Sequence, residues 1–488
     1  MQIVSCPSCG AEVKFRSHAS VMAVCEYCNT SVLKDAGAVK DLGKMSSVLE
    51  DYSPIQIGTV GVLGGRPFTV VGRLQLKYSA GMWNEWYLLF DDAGTAWLGD
   101  SSGMYVVTTE RKVDGALPSF REIVPGHNYS IGEQRMTASE VRRADCIGGQ
   151  GELPFKVGAG YQAQVADFRR GGDFITLDYS DDPRPTVYTG VAVTLESLQC
   201  QLLRDDDTIQ RSAGRYRGKL DALDCPSCGS PIKYLPGMTA ILLCPACHAQ
   251  IDAASPKAQV LAAGERVAAV PTTLELGAQA KLNNQDYTVI GMMRRADDEG
   301  TQWTEYLLYG TRAGFSWLVE TSEGWSRASV MPEWPQMTSP VAETAVVDKM
   351  SFTKLYEYGS QVTYAVGAFN WRVQVGDRTR VAEFEHGQIR LASETTAEEM
   401  TWSRSSPVPF DQMQAWFGQR FSGKRPGGVL AAKSRHKNAA RKIIMVMLAL
   451  NAVPLLANFS GTWALNALGA LAIYLPALFL DAREDSQG

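Results

Sequence analysis

The sequence predicts a mainly β protein: two zinc ribbons alternating with two antiparallel β sandwich or barrel domains, closed by a C-terminal transmembrane α-hairpin. Three observations predict it. The pentapeptide CPSCG stands at residues 6–10 and again at 225–229. Short β-branched and aromatic runs, separated by Gly- and Asp-containing turns, follow each copy. Two uncharged apolar runs, 443–459 and 462–480, lie near the end of the chain.

Length and composition set the frame. A chain of 488 residues is long enough for about two to four domains with their own cores. At 45% hydrophobic and 20% charged it is globular, and 45 Gly with 22 Pro favour turn-rich β structure over helix bundles. Residues 1–423 carry 39 Lys+Arg against 49 Asp+Glu, a net of −10. So acidic a body argues against nucleic acid as partner, because that affinity comes largely from cationic side chains on phosphates. The N-terminal MQIVSCPSCG lacks a basic region followed by an apolar one, which predicts no signal peptide. Eight of the ten cysteines fall in four C-x-x-C pairs, a metal-binding pattern in a reducing compartment rather than a disulfide framework.

The repeat orders the domains. Cys6, Cys9, Cys25 and Cys28 map onto Cys225, Cys228, Cys244 and Cys247 at a constant offset of 219, which continues through Gly58/Gly277 and Gly72/Gly291. The offset is 220 at Trp83/Trp303, Glu85/Glu305, Trp86/Tyr306 and Trp97/Trp317, and 216 at Gly151/Gly367 and Asp167/Glu383. Such drift is what loop insertions and deletions produce between diverged copies. The reading is a ribbon at 1–35, a β domain at 55–204, a second ribbon at 220–254, a second β domain at 268–420, a basic linker at 421–442 and a hairpin at 443–480.

Each ribbon follows from C-x₂-C-x₁₅-C-x₂-C. Four thiolates complete a tetrahedral site with no open position, so two structural zinc ions are expected. Gly10 and Gly229 stand where a tight knuckle needs positive φ. Residues 13–15 and 21–24, like 232–234 and 240–243, read as the two strands of a hairpin joining the knuckles. In the β domains, 68–73, 86–90, 95–98, 105–108, 162–168 and 174–179 read as strands. A short helix is expected at 195–203 and at 410–417, and the weak alternation leaves sandwich and barrel both open.

Catalytic signals are missing. None of His18, His127, His248, His386 and His436 recurs in the opposite copy, and no nucleophile elbow, phosphate loop or zinc-protease motif occurs. The chain reads as a non-enzyme. Glu85 and Glu305 sit in Trp83-Asn84-Glu85-Trp86 and Trp303-Thr304-Glu305-Tyr306. Trp83, Glu85, Trp86, Trp303, Glu305 and Tyr306 are the candidate ligand or partner surface. Cys146 and Cys200 read as core thiols.

The apolar runs each approach the ~20 residues that span a bilayer, with a turn expected at Ser460-Gly461. Residues 424–442 hold seven basic side chains (Lys424, Arg425, Lys433, Arg435, Lys437, Arg441, Lys442) and no acid. By the positive-inside rule that side is cytoplasmic, which puts both termini and the bulk of the chain inside.

Trp83-x-Glu85-Trp86, Ala93-Gly94, Trp97-Leu98 and Gly151-Glu152-Leu153-Pro154, with their second-copy partners, resemble an uncharacterised bacterial domain of unknown function. That family is often encoded beside polyamine aminopropyltransferase and phage-shock-type membrane-stress genes. The second copy departs from it at Gly367-Ala368-Phe369-Asn370. The resemblance implies a bacterial, membrane-associated accessory protein. With the residues it predicts a scaffold or adaptor on the cytoplasmic face of the inner membrane, holding a protein partner in an envelope-stress or polyamine-linked system. The alternative is a sensor of a small cation such as a polyamine, and a weaker one is an accessory subunit of an enzyme.

Overall fold

The fold is described from a computed structural model, at residues 2–17, 19–35, 38–45, 53–78, 82–101, 103–157, 160–181, 183–205, 223–232, 241–252, 259–262, 272–310, 314–337, 342–369, 371, 373–418, 421, 423, 435–451 and 459–485. Two compact units emerge: Met1–Glu320 with Trp325–Phe421, and Thr321–Gly324 with Ser422–Gly488.

The first ribbon is built from β1 (Gln2–Ser5), β2 (Glu12–Phe15), β3 (Met22–Val24), β4 (Thr30–Asp35) and β5 (Ala38–Lys44). The expected hairpin between 13–15 and 21–24 does not form. β2 pairs with β1, and β3 pairs with β4. Burial explains the difference: β2 alternates exposed and buried, whereas Met22, Ala23 and Val24 are all buried. A strand covered on both faces belongs inside a sheet, and β3 finds its second neighbour in the barrel. β5 extends the ribbon sheet past the expected boundary at residue 35.

The first β domain comprises β6 (Val60–Leu63), β7 (Arg66–Lys77), β8 (Met82–Phe90), β9 (Thr95–Ser101), β10 (Met104–Glu110), β11 (Asn128–Ile131), β12 (Gln134–Leu153), β13 (Gln162–Arg170), β14 (Asp173–Asp178) and β15 (Thr186–Val193). Five of the six expected strands lie within these, and the sixth, 174–179, overruns the end of β14 by one residue. β7 to β10 form one antiparallel meander and β12 to β15 another. β10 pairs with β15, and β12 pairs with β7. The ladder therefore returns to its start, and the domain is a closed eight-stranded barrel rather than a sandwich. Closure removes the free edges that a sandwich must protect.

The 20-residue β12 makes the closure possible. It runs along β11, then β13, then β7, shifting register between Ala138 and Glu140 and between Cys146 and Gly148. At its end, Glu152 and Leu153 pair with Ala23 and Met22 of β3. Ribbon and barrel thus share one continuous strand. Gly72 lets β7 pass beside this junction, since a Cβ there would lie 1.9 Å from the Glu152 carbonyl oxygen.

Apolar side chains cover the outside of the barrel. Trp86, Leu88, Leu98 and Val107 pack beneath Ile55 and Leu198, while Phe168, Ile175 and Leu177 pack beneath Ile123 and Ile131. Each such burial stabilises by about 1.5–3 kcal/mol. The segment 195–199 is a turn rather than the expected helix. The Thr194 and Ser197 side chains bond each other's backbone N–H, and positive φ at Gln199 and Leu202 stops the winding after one turn.

The second copy repeats the plan. Its ribbon has β16 (Leu223–Asp224), β17 (Pro231–Ile232), β18 (Ile241–Leu243), β19 (Gln250–Asp252) and β20 (Gln259–Ala262). Its β domain has β21 (Gln279–Leu282), β22 (Gln285–Asp297), β23 (Gln302–Gly310), β24 (Gly314–Thr321), β25 (Gly324–Val330), β26 (Thr344–Val347), β27 (Met350–Phe369), β28 (Arg378–His386), β29 (Ile389–Thr395) and β30 (Met400–Val408). Strand order and the closing pair, β22 with β27, are the same, and β18 joins the end of β27. α1 (Phe410–Phe417) buries Met413 and Phe417 against this barrel. Lys233 and Tyr234, read as part of the second ribbon's hairpin, lie outside the described residues.

In the C-terminal unit, α2 (Arg435–Leu450) and α3 (Phe459–Asp485) pack on one another, with Met447 beside Gly469. The expected basic linker becomes helical from Arg435, and Ser460-Gly461 lies inside α3 rather than in a turn. After α2, the Asn451 side chain donates to Met447 O at 2.8 Å. Among the described residues no helix is long and apolar enough to cross a membrane. Lys424, Arg425, Lys433 and residues 452–458 of the expected hairpin lie outside the described residues.

Candidate metal centres and lumen carboxylates

Each C-x-x-C is the turn of a two-stranded hairpin. Gly10 N donates to Cys6 O and Asn29 N to Cys25 O; Gly229 N donates to Cys225 O and His248 N to Cys244 O. The residue after each second cysteine has positive φ: Gly10 at 79°, Asn29 at 56°, Gly229 at 72° and His248 at 56°. Glycine was expected there twice. Asn29 and His248 take the same conformation, which gives His248 a backbone role outside the cysteine set.

These turns aim four sulfurs at one point. Cys6 and Cys28 Sγ lie 3.6 Å apart and Cys9 and Cys25 3.7 Å; Cys225 and Cys247 lie 3.6 Å apart and Cys228 and Cys244 3.8 Å. A tetrahedral ion with ~2.3 Å bonds to sulfur separates its ligands by about 3.8 Å. All four ligand atoms in each group lie within 4.8 Å of one another. Both sets fit a metal ion. The Thr30 hydroxyl, 3.2 Å from Cys28 Sγ, and the Thr30 backbone N–H pull the Cys28 thiol down to about 6. Ser230 does the same for Cys228, also to about 6. Burial instead pushes Cys244 up to about 12.

Glu152 fastens the first centre to its barrel. Its buried carboxylate accepts from the backbone N–H of Arg16 at 2.7 Å and of Ser17 at 2.9 Å, and from Ser20 Oγ at 2.9 Å. Those donors belong to the segment between β2 and β3. In the second copy the matching residue is Ala368, so this clamp belongs to the first copy. Its presence in the Gly-Glu-Leu-Pro motif was the only sequence signal for it.

The candidate aromatic-acidic residues do not share one surface. Trp86 and Tyr306 are core side chains on the outer wall, and Tyr306 OH is tied to Glu320 at 3.0 Å. Trp83, Glu85, Trp303 and Glu305 point the other way, into the lumens. Arg295 on β22 establishes this: it reaches Glu394 on β29 at 2.8 Å, three strands distant around the ring, which only a path through the interior allows. Trp83 Nε1 donates to Glu85 at 2.9 Å and Trp303 Nε1 to Glu305 at 2.6 Å. Burial holds Glu85 up to about 7 and raises Glu305, Asp167 and Asp178.

Asp167 accepts from Thr176 Oγ1 at 2.7 Å and Glu383 from Tyr358 OH at 2.6 Å. Cys146 is buried and Cys200 partly so, and desolvation pushes both thiols up to about 11, which suits inert core thiols. Sequence reasoning missed Arg295, Asp178 and Glu394. Placing Leu76 opposite Arg295 in the repeat was the signal available.

A family model described as a domain of unknown function (DUF4178) matches residues 56–195 and 275–410, one match on each barrel. No curated protein matches the chain.

Proposed function

The chain belongs to this family of uncharacterised domains, in two tandem copies, and on that premise we propose that it is a non-enzymatic scaffold. Zinc stiffens its ribbons, and the C-terminal helices anchor it to the cytoplasmic face of a bacterial inner membrane. The observation that carries this reading is the strand shared by each ribbon and barrel, β3 with β12 and β18 with β27. A metal site welded into a barrel wall adds rigidity, and a four-sulfur site leaves no position for a substrate. The reducing side of the membrane suits eight thiols that must stay unpaired.

Anchoring is supported by α2 and α3. Ile443, Met445, Leu450, Trp463, Leu465, Leu468 and Leu471 are exposed on them, too much apolar surface for water to cover cheaply. The basic residues ahead of this surface suit an anionic cytoplasmic leaflet. In this reading the barrels present a protein partner with a fixed platform, within an envelope-stress or polyamine-linked system.

The test is fractionation of cells expressing the full chain and a chain ending at residue 421. The full chain should resist carbonate extraction from membranes and the shorter one should be soluble. A partner cross-linked in native membranes should be lost from Cys25→Ser and Cys244→Ser variants that still sediment with membranes. Full-length protein in the soluble fraction would overturn the anchor, and a partner indifferent to both substitutions would overturn the scaffold.

A further inference from the structure

Arg295 stands in the second barrel where the first has Leu76. Leu76 pairs with Trp83 and Cys146; Arg295 pairs with Trp303 and Val362, the repeat counterparts of those residues. Inside the second lumen the Arg295 guanidinium meets Glu394 Oε2 at 2.8 Å, Glu305 Oε1 at 3.4 Å and Ser360 Oγ at 2.5 Å. It lies 5.9 Å from the centre of the Trp303 ring. The acids are therefore ligands, and their ligand is a side chain of the same barrel.

The first barrel keeps those acids without that cation. Glu85 matches Glu305, Asp178 matches Glu394 and Trp83 matches Trp303, with the same indole-to-carboxylate bond. Asp178 bonds Ser180, and among the described residues no arginine or lysine pairs with Glu85 or Asp178. The lumen's other arginines are engaged elsewhere. Arg142 pairs with Glu140 and Glu399 and lies over Tyr78, while Arg169 donates to Pro332 O and lies over Phe174. Glu85 is half-buried, whereas its counterpart Glu305, covered by Arg295, is only 9% exposed. Carboxylates enclosed with no counter-charge are costly to hold ionised, and a cation would relieve that cost.

We propose that the lumen of the first barrel binds a small organic cation bearing a guanidinium or primary ammonium group. It sits between Glu85 and Asp178 against Trp83, as Arg295 sits between Glu305 and Glu394 against Trp303. The second barrel is then the same site with its ligand built in. Charge-assisted N–H···O bonds and the indole face supply the recognition, so a quaternary ammonium, which has no N–H, is excluded from the carboxylate contacts.

Calorimetry of the full chain in detergent tests this, with methylguanidinium and n-butylammonium as probes and tetramethylammonium as the control. At least one of the two probes should bind at one site per chain, and the control should not. Leu76→Arg inserts the cation from within and should weaken binding about tenfold or more, as should Glu85→Gln, which keeps the side-chain volume. Arg295→Leu should open a second site, and its melting temperature should rise with methylguanidinium. No binding by either probe would overturn the proposal, and so would binding unchanged in both Leu76→Arg and Glu85→Gln. Should Leu76→Arg fail to fold, Glu85→Gln and the rescue of Arg295→Leu decide.

Discussion

The Glu152 carboxylate accepts the backbone N–H of Ser17 at 2.9 Å, although 135 residues separate them in the chain. All the partners of this buried side chain are donors: two backbone N–H groups, the Ser20 hydroxyl and the Arg16 guanidinium at 3.7 Å. Glu152→Ala should therefore cost about 3 kcal/mol, because several donors lose their acceptor together. Glu152→Gln, keeping one acceptor oxygen, should cost about 1–2 kcal/mol. Hydrogen exchange over residues 16–24 should rise in Glu152→Ala while the barrel strands stay protected. Unchanged exchange there would show that β3–β12 pairing alone holds the ribbon.

What the sequence disclosed followed from local chemistry. Cysteine spacing needs no tertiary information, since the knuckle turn and the four thiols are encoded within about 30 residues. Runs such as 86–90 are strands because their aromatic and leucine side chains cover both walls of a barrel. β12 was illegible for a physical reason. It pairs with four strands in turn, carries two register shifts and includes Gly148, Gly149 and Gly151, so no period of two persists. Without β12 neither barrel closure nor the Glu152 clamp could be foreseen. The lumen was half legible: Glu85 and Glu305 stood out by their aromatic neighbours, but their facing partners, Asp178 and Glu394, lie across the ring.

Metal content should separate the two centres. Native mass spectrometry should find two zinc ions in the wild type, one in Cys25→Ser, one in Cys244→Ser and none in the double variant. Cys146→Ser should change nothing. Because thiols must lose protons to bind, zinc should be released as the pH falls, and chelation should unfold the ribbons before the barrels. Loss of both ions on a single substitution would show the two centres to be coupled.

Glu85 predicts a pH dependence of stability in the absence of added cations. Its carboxyl titrates near 7 in the folded chain against an ordinary value of 4.5. Between those values the unfolded chain has lost the proton that the folded chain still holds, so stability falls as pH rises through this window and levels off above 7. The upper limit of the loss is about 3 kcal/mol. Glu85→Gln removes the titration. Its denaturation midpoint should gain on the wild type between pH 5.5 and pH 8, and a constant gap would place the Glu85 proton elsewhere.

Arg142 joins the two copies. Its guanidinium, 9% exposed, pairs with Glu140 of its own barrel and lies 2.9 Å from Glu399 of the second, which is 35% exposed. Beside it Val141 N donates to Glu398 O at 2.9 Å. The counterpart of Arg142 in the second copy is Tyr358, which bonds Glu383 within its own barrel. The contact is therefore one-directional: the first barrel supplies the cation and the second the acid. Removing the nearly buried arginine leaves Glu140 without its pair, and Arg142→Ala should cost about 3 kcal/mol. Glu399→Gln should cost about 1 kcal/mol or less, since its carboxylate is partly solvated and Arg142 keeps Glu140. Arg142→Met retains the stem over Tyr78 and isolates the charge. A double-mutant cycle of Arg142→Met with Glu399→Gln should return a coupling of about 1 kcal/mol, and strict additivity would show the copies to be held by their backbone contacts instead.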